Sequence, residues 1–158
     1  MKFLLSNGKQ LRKQVLDFPF ASEFTSSKLL VCACDDEQIV AACGIRGLLN
    51  TLVLYVKESH RNRGVGKEIL SETIQAAKTR GQGFVTLSVS SDNAVALSLY
   101  KRMGFIEVLY LEKSRQILMM LLLTYIGKLA YEAFSAIRFF LPNSLLFYVH
   151  AWLYKKTI

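Results

Sequence analysis

Cysteine and histidine are scarce, at three and two in 158 residues. That is too few for a disulfide framework or a closed zinc site. Basic runs are missing too: no five consecutive residues are all Lys or Arg. The net charge of +8 is therefore not gathered into an arm for nucleic acid. The first apolar run, Phe3-Leu4-Leu5, stops at Ser6-Asn7-Gly8, well short of a secretory h-region. A membrane-spanning stretch is absent as well. The most apolar region, the tail, is interrupted by Arg138, Pro142-Asn143 and His150, where about 20 apolar residues would be needed. These absences predict a cytoplasmic chain with reduced cysteines and no metal.

Apolar residues make up 52% and charged residues 20%, which excludes intrinsic disorder. The length fits one domain, or one domain plus an appendage, with room for one sizeable core. The positive charge favours an anionic partner: nucleic acid, an acidic lipid surface or a phosphorylated cofactor. Residues 1–123 carry a net +5 and residues 124–158 a net +3. The surface reads as moderately basic and solvated, and no nucleic acid is expected as partner. Cys32 and Cys34 lie two apart in an apolar run, so on a strand they share a face. They read as small buried apolar residues.

Residues 29–34 and 39–45 are short apolar runs joined by Asp35-Asp36-Glu37-Gln38, which predicts a hairpin. Thr51 to Val56, rich in β-branched and aromatic residues, predicts a third adjacent antiparallel strand. From Gly66 to Lys78 the period changes. Ile69, Leu70, Ile74, Ala76 and Ala77 recur at helical spacing, and Gly81 and Gly83 stop the helix. Residues 84–89 predict a strand. Asp92 or Asn93 can cap the next helix, which Gly104 ends. Residues 105–111 and 117–123 predict two more strands around a polar turn. This order makes an α/β fold, a mixed sheet with helices on its faces.

The last 35 residues differ. They hold 9 of the 18 aromatic residues, and 22 of the 35 are apolar. Two helices are predicted, about 125–141 and 144–156, broken at Pro142-Asn143. Lys128, Glu132, Ser135 and Arg138 form one narrow polar stripe on the first. That leaves too much apolar surface for two free helices. Burial is open to three solutions: packing on the chain's own sheet or completing the acceptor site, a homodimer interface, or peripheral membrane contact with Trp152, Lys155 and Lys156 at the lipid headgroups.

The chemistry concentrates between the third strand and the first long helix, in Arg61-Asn62-Arg63-Gly64-Val65-Gly66-Lys67. Two glycines let backbone amides approach a ligand. The helix start behind them carries unpaired donors and a positive dipole end. Arg61, Arg63 and Lys67 add charge. This is a cradle for phosphate or pyrophosphate. It is not a P-loop, because Gly66-Lys67 is followed by Glu68. It is not a dinucleotide fingerprint either, because Ile69 stands where a third glycine is required. A second constellation follows a helix and a strand later: Asn93, then Leu99-Tyr100-Lys101-Arg102-Met103-Gly104-Phe105. By itself it is a capped amphipathic helix with a core tyrosine.

Together the two segments resemble the GNAT superfamily of acyl-CoA-dependent N-acetyltransferases. Arg61 to Gly66 matches its Arg/Gln-x-x-Gly-x-Gly/Ala signature, and Asn93 with Leu99 to Phe105 matches its downstream helix. The resemblance covers about residues 1–123, as an N-acetyltransferase domain of mixed, mainly antiparallel sheet; residues 124–158 stand outside it as an apolar helical extension. It implies acetyl-CoA as co-substrate and an amine as acceptor. It implies that backbone groups near Leu54 and Val56 pair with the pantetheine arm. The amides from Arg61 through Asn62, Arg63, Gly64, Val65 and Gly66 to Lys67 would hold the pyrophosphate. Asn93 would bond the pantetheine region, and Tyr100 would be the general acid that protonates the leaving thiolate. No cysteine needs a catalytic role. One position departs from the pattern: Ser88 stands where bacterial-type protein N-terminal acetyltransferases often carry a glutamate base. Glu58, His60 and Asp92 are nearby in sequence, and the base stays unassigned. The competing reading is a non-catalytic acyl-CoA-binding or membrane-tethered module on the same fold. Retention of Tyr100 together with the phosphate loop argues for the enzyme.

Overall fold

The computed structural model describes residues 1–6, 9–36 and 38–140. They fall into two compact units. The first comprises Met1–Arg46 and Thr51–Arg80; the second comprises Gly47–Asn50 and the chain from Gly81 on.

The first unit holds four strands, β1 (Lys2–Ser6), β2 (Leu29–Asp35), β3 (Gln38–Arg46) and β4 (Thr51–Val56). They lie in that order, each antiparallel to the next. The hairpin expected at residues 29–45 is β2 and β3, with Cys32 opposite Ala42 and Asp35 opposite Gln38. Its register slips between Ala33 and Cys34. Two short helices, α1 (Lys9–Gln14) and α2 (Ala21–Thr25), and one long helix, α3 (Val65–Thr79), complete the unit. Val15, Phe18 and Phe24, in and between the short helices, pack with Leu30, Cys32, Ile39 and Ala42 of the sheet, and Val53 and Tyr55 join them. α3 contacts β2, β3 and β4 and buries Ile69, Leu70, Thr73, Ile74 and Ala77. The Thr73 hydroxyl reaches Cys43. Cover on both faces explains why β2 and β3 read as nearly unbroken apolar runs rather than alternating ones.

One glycine sets how closely α2 approaches the sheet. A Cβ on Gly44 of β3 would strike the Ser27 hydroxyl. That hydroxyl donates to the Glu23 carbonyl at 2.7 Å and so finishes α2. β1, α1 and α2 had no counterpart in the sequence reading; five- and six-residue elements show too little period to register.

The second unit has strands β5 (Phe84–Ser90), β6 (Ile106–Leu111) and β7 (Gln116–Leu122) in the order β5-β7-β6, both pairings antiparallel. Helix α4 (Ala94–Arg102) connects β5 to β6. β6 turns into β7 through Glu112–Ser114, with Arg115 at φ 52°. Segment Gly47–Asn50 is stitched to β5: Asn50 Nδ2 donates to the Phe84 carbonyl at 2.8 Å, and the Thr86 hydroxyl donates to the Leu49 carbonyl at 2.9 Å.

Helix α5 (Tyr125–Phe140) matches the first helix expected in the tail. Its Tyr131 packs against Val108, Leu109, Leu111 and Leu118 of the β6–β7 hairpin. Gly127 lies so close to Gly83 that a Cβ there would meet the Gly83 carbonyl. Tyr125 and Leu129 stand exposed, so the solvent-facing side is wider than the predicted polar stripe. The second tail helix, 144–156, lies outside the described residues. No described helix is long and apolar enough to cross a membrane.

Candidate functional site

The first unit carries the phosphate-loop residues on one continuous path. Lys57 donates to the Val40 carbonyl at 2.9 Å, which marks a hydrogen-bonded antiparallel pair. Such pairs alternate with non-bonded ones. Val56 opposite Ala41 and Leu54 opposite Cys43 are therefore non-bonded positions on the β3 side. Their N–H and C=O groups turn to the other edge of β4. On that edge the Val56 carbonyl already accepts from the Arg61 side chain.

A single 3₁₀ turn, Glu58–His60, follows β4. Asn62 then adopts φ 59° and Gly64 φ 84°. Gly64 begins α3 as its N-cap, and its carbonyl accepts from Lys67 at 2.9 Å and Glu68 at 3.1 Å. The amides of Asn62, Arg63, Gly64, Val65 and Gly66 donate to no described residue. Val65, fully buried, pins the first turn of the helix to the core. Asn62, Arg63, Gly64 and Lys67 are exposed. The result is a short row of free donors at a positive helix end, flanked by two cations.

Arg61 departs from expectation. Its Nε donates to the Val56 carbonyl at 3.1 Å, and a terminal nitrogen pairs with Glu58 at 3.2 Å. Its guanidinium lies 6.0 Å from the centre of the Tyr55 ring. The side chain is spent on anchoring the loop to β4, so Arg63 and Lys67 supply the free charge.

The second unit places Asn93 and Tyr100 at the two ends of α4. Of the two caps considered, Asn93 is the one used: its Oδ1 accepts from the Ala96 amide at 3.1 Å. That leaves its Nδ2 as a donor. Tyr100 is 8% exposed, with its ring 5.6 Å from that of Phe105. Phe105 donates its amide to the Tyr100 carbonyl at 3.0 Å, and Gly104 makes the turn between them at φ 88°. This geometry accounts for the Leu-Tyr…Gly-Phe spacing.

The side chains weighed as bases are all engaged. Glu58 pairs with Arg61, and Asp92 with Arg115 at 3.0 Å. Both ring nitrogens of His60 have partners, Ser59 at 2.8 Å and Asp35 at 3.4 Å. Ser88 is exposed on β5. Cys32 is buried as read and Cys43 with it, whereas Cys34 is only half-buried. Burial pushes the Cys32 and Cys43 thiols up to about 12, and raises Cys34 as well. All three stay protonated near neutral pH and are poor nucleophiles.

Sequence reasoning missed an aromatic group on the opposite face of β4 from α3. Phe18 meets Tyr55 edge-on at 5.0 Å, and the Lys57 ammonium lies 5.6 Å from the centre of the Phe18 ring. Its only sequence signal was Tyr55 in a strand, because Phe18 arrives from a connection too irregular to predict.

Comparison with known proteins bears on the family and the fold. Residues 6–105 match the model of the Acetyltransferase (GNAT) family. An uncharacterised N-acetyltransferase of Methanocaldococcus jannaschii is 32% identical over 99 residues, which is 63% of this chain and 43% of that protein. The chain thus spans less than half the length of this curated relative. Among solved structures, the ribosomal-protein-S18-alanine N-acetyltransferase from Escherichia coli superposes with TM-score 0.63 at 20% identity, covering 78% of this chain and 95% of that one. A Bacillus subtilis acetyltransferase in complex with CoA gives TM-score 0.61 at 17% identity, covering 78% and 99%. At such identities the likeness is one of fold, and the fold is α/β with helices flanking the strands. The family match takes in β2 to α4 and with them both signature segments, so the chain belongs to the GNAT acetyltransferase family.

Proposed function

We propose that the protein transfers an acetyl group from acetyl-CoA to a primary amine by direct attack. The observation that carries this is the row of unpartnered amides from Asn62 to Gly66, held at the start of α3 by two left-handed residues. An anion bridging several amides is what such a row binds, and a pyrophosphate fits it. The backbone groups of Leu54 and Val56 that turn away from β3 would pair with the pantetheine arm, the Val56 carbonyl sharing its place with the Arg61 side chain. Asn93 would donate its Nδ2 to the same arm.

In the reaction, the amine nitrogen bonds to the acetyl carbon and the carbon–sulfur bond breaks. Charge gathers on the carbonyl oxygen, where the Val56 amide would stabilise it. Tyr100 would deliver its hydroxyl proton to the departing thiolate. Glu58, His60 and Asp92 each have a side-chain partner, and the base that takes the amine's proton, directly or through water, is left unassigned. The acceptor needs a free amine, and the basic surface disfavours polyamines.

The test is a panel of amine classes incubated with acetyl-CoA, read by release of free thiol, alongside thermal melting with CoA. Turnover with at least one amine, and a melting shift with CoA, are expected. CoA binding without turnover on any amine would leave a binding module in place of an enzyme.

A further inference from the structure

One cluster in the first unit has no place in the reaction above: Asp35, Ser59 and His60. Asp35 ends β2. Ser59 and His60 lie in the 3₁₀ turn that follows β4. The two are 24 and 25 residues apart in sequence and meet only because the hairpin folds back. His60 Nδ1 lies 2.8 Å from the Ser59 hydroxyl and Nε2 lies 3.4 Å from Asp35 Oδ2. The imidazole is 19% exposed, while the Asp35 side chain is 48% exposed. The ring is thus the sheltered partner and the carboxylate the open one.

The arrangement satisfies the ring in either protonation state. A neutral imidazole takes the Ser59 O–H at Nδ1 and points Nε2–H at Asp35. An imidazolium donates from both nitrogens. With both positions filled, the ring is held in one orientation. What it can do is hold the chain. The His60 amide donates to the Lys57 carbonyl at 2.9 Å, and Lys57 in turn donates to Val40 on β3. The turn is therefore tied to the β2–β3 hairpin twice, by backbone through Lys57 and by side chain through His60.

Directly after this tie the chain enters the free amides at Asn62, whose φ of 59° is uncommon for a residue with a side chain. Donors bind an anion well only when already aimed at it, because ordering them on binding costs affinity. Arg61, anchored to Val56, holds one side of that entry. We infer that His60 is a positioning residue for the phosphate loop: Asp35 and Ser59 fix its ring, and the ring fixes where the row of amides begins. This rests on reading residues 61–67 as the pyrophosphate cradle.

The test uses the full chain, with His60→Phe, Asp35→Asn and the double variant. Phe keeps the ring's bulk and removes both polar contacts; Asn keeps the shape of Asp35 and removes its charge. CoA affinity is measured by calorimetry, and KM and kcat by acetyl-CoA turnover with an accepted amine. A pair this exposed should shift the CoA dissociation constant and the acetyl-CoA KM about three- to fivefold upward. kcat should stay within about twofold of the parent, since no reacting atom is touched. The double variant should be no weaker than the weaker single one, as two partners in one contact are not additive. Variants that bind CoA as tightly as the parent would overturn the proposal, as would a fall in kcat at constant KM. If His60→Phe fails to fold, Asp35→Asn at the exposed end of β2 still decides the matter. A parent chain that does not bind CoA would overturn the cradle itself; a parent that binds CoA beside unaffected variants overturns only the positioning role.

Discussion

At Gly64 the backbone sits at φ 84°, and the space a Cβ would enter holds only the end of Glu68 at 3.8 Å. Room is therefore available; conformation is what forbids a side chain, and a β-branched one most of all. Gly64→Val should abolish the melting shift that CoA gives the parent, and an undiminished shift would remove the pyrophosphate from this loop. Tyr100 makes a complementary case. As the proposed acid it contributes through its hydroxyl alone, so Tyr100→Phe should leave CoA affinity close to the parent's. Turnover should fall by about 100-fold or more where thiolate departure limits the rate. Unchanged turnover across the pH range would return Tyr100 to a purely structural place beside Phe105. Both residues were legible because each belongs to a run with fixed spacing. Asp35 and His60 were not, because no pattern joins the end of one strand to a turn 25 residues later. Nor was the retreat of Arg61 from the cradle, since sequence counts a charge without saying what it pairs with.

Elements were legible in proportion to their length and to how much of their stability is local. β2 to β4, α3 and β5 to β7 fall close to where period and turn residues placed them, and α4 begins at a predicted cap. α1 and α2, at 6 and 5 residues, are too short to be stable alone and exist through Val15, Phe18 and Phe24. The tail's pattern predicts α5 as a helix but does not choose its seat among sheet, dimer and membrane. Its packing on the β6–β7 hairpin depends on Gly127 passing Gly83 without a side chain. Gly127→Ala should therefore force the two backbones apart, at a cost of about 1–3 kcal/mol. Thermal melting reads the loss. A variant as stable as the parent would mean that α5 is not held at that crossing.

For the whole molecule, the division into two units separates two consequences of losing the tail. The phosphate loop belongs to the first unit, and α5 packs within the second. Removing residues 124–158 would uncover Val108, Leu109, Leu111 and Leu118, each less than a tenth exposed. The shortened chain should melt lower and associate or precipitate more readily, yet still bind CoA below its melting point. Sedimentation with and without anionic vesicles, run on both lengths, also tests the proposed dimer and lipid contacts of the tail. Loss of CoA binding on truncation would place the boundary at 123 wrongly. Ligand linkage supplies the readout: CoA at about 100 times its dissociation constant should add roughly 2.7 kcal/mol to either chain.

Helix α3 opens without a side-chain cap, its N-cap being a glycine. Most helices complete their first turn with their own serine, threonine or aspartate. Here the Val65 and Gly66 amides find no partner among the described residues, while Lys67 already bonds Gly64, so the proposed ligand would complete the turn and the bare helix should fray at Val65 and Gly66 while its interior stays closed. Amide hydrogen exchange followed by mass spectrometry would show this as fast exchange confined to the opening turn, slowed when CoA is added. Exchange that is equally slow with and without CoA would show that the helix was already closed. On the proposed reading the ligand would be the missing piece of secondary structure, and each catalytic cycle would end by uncapping a helix.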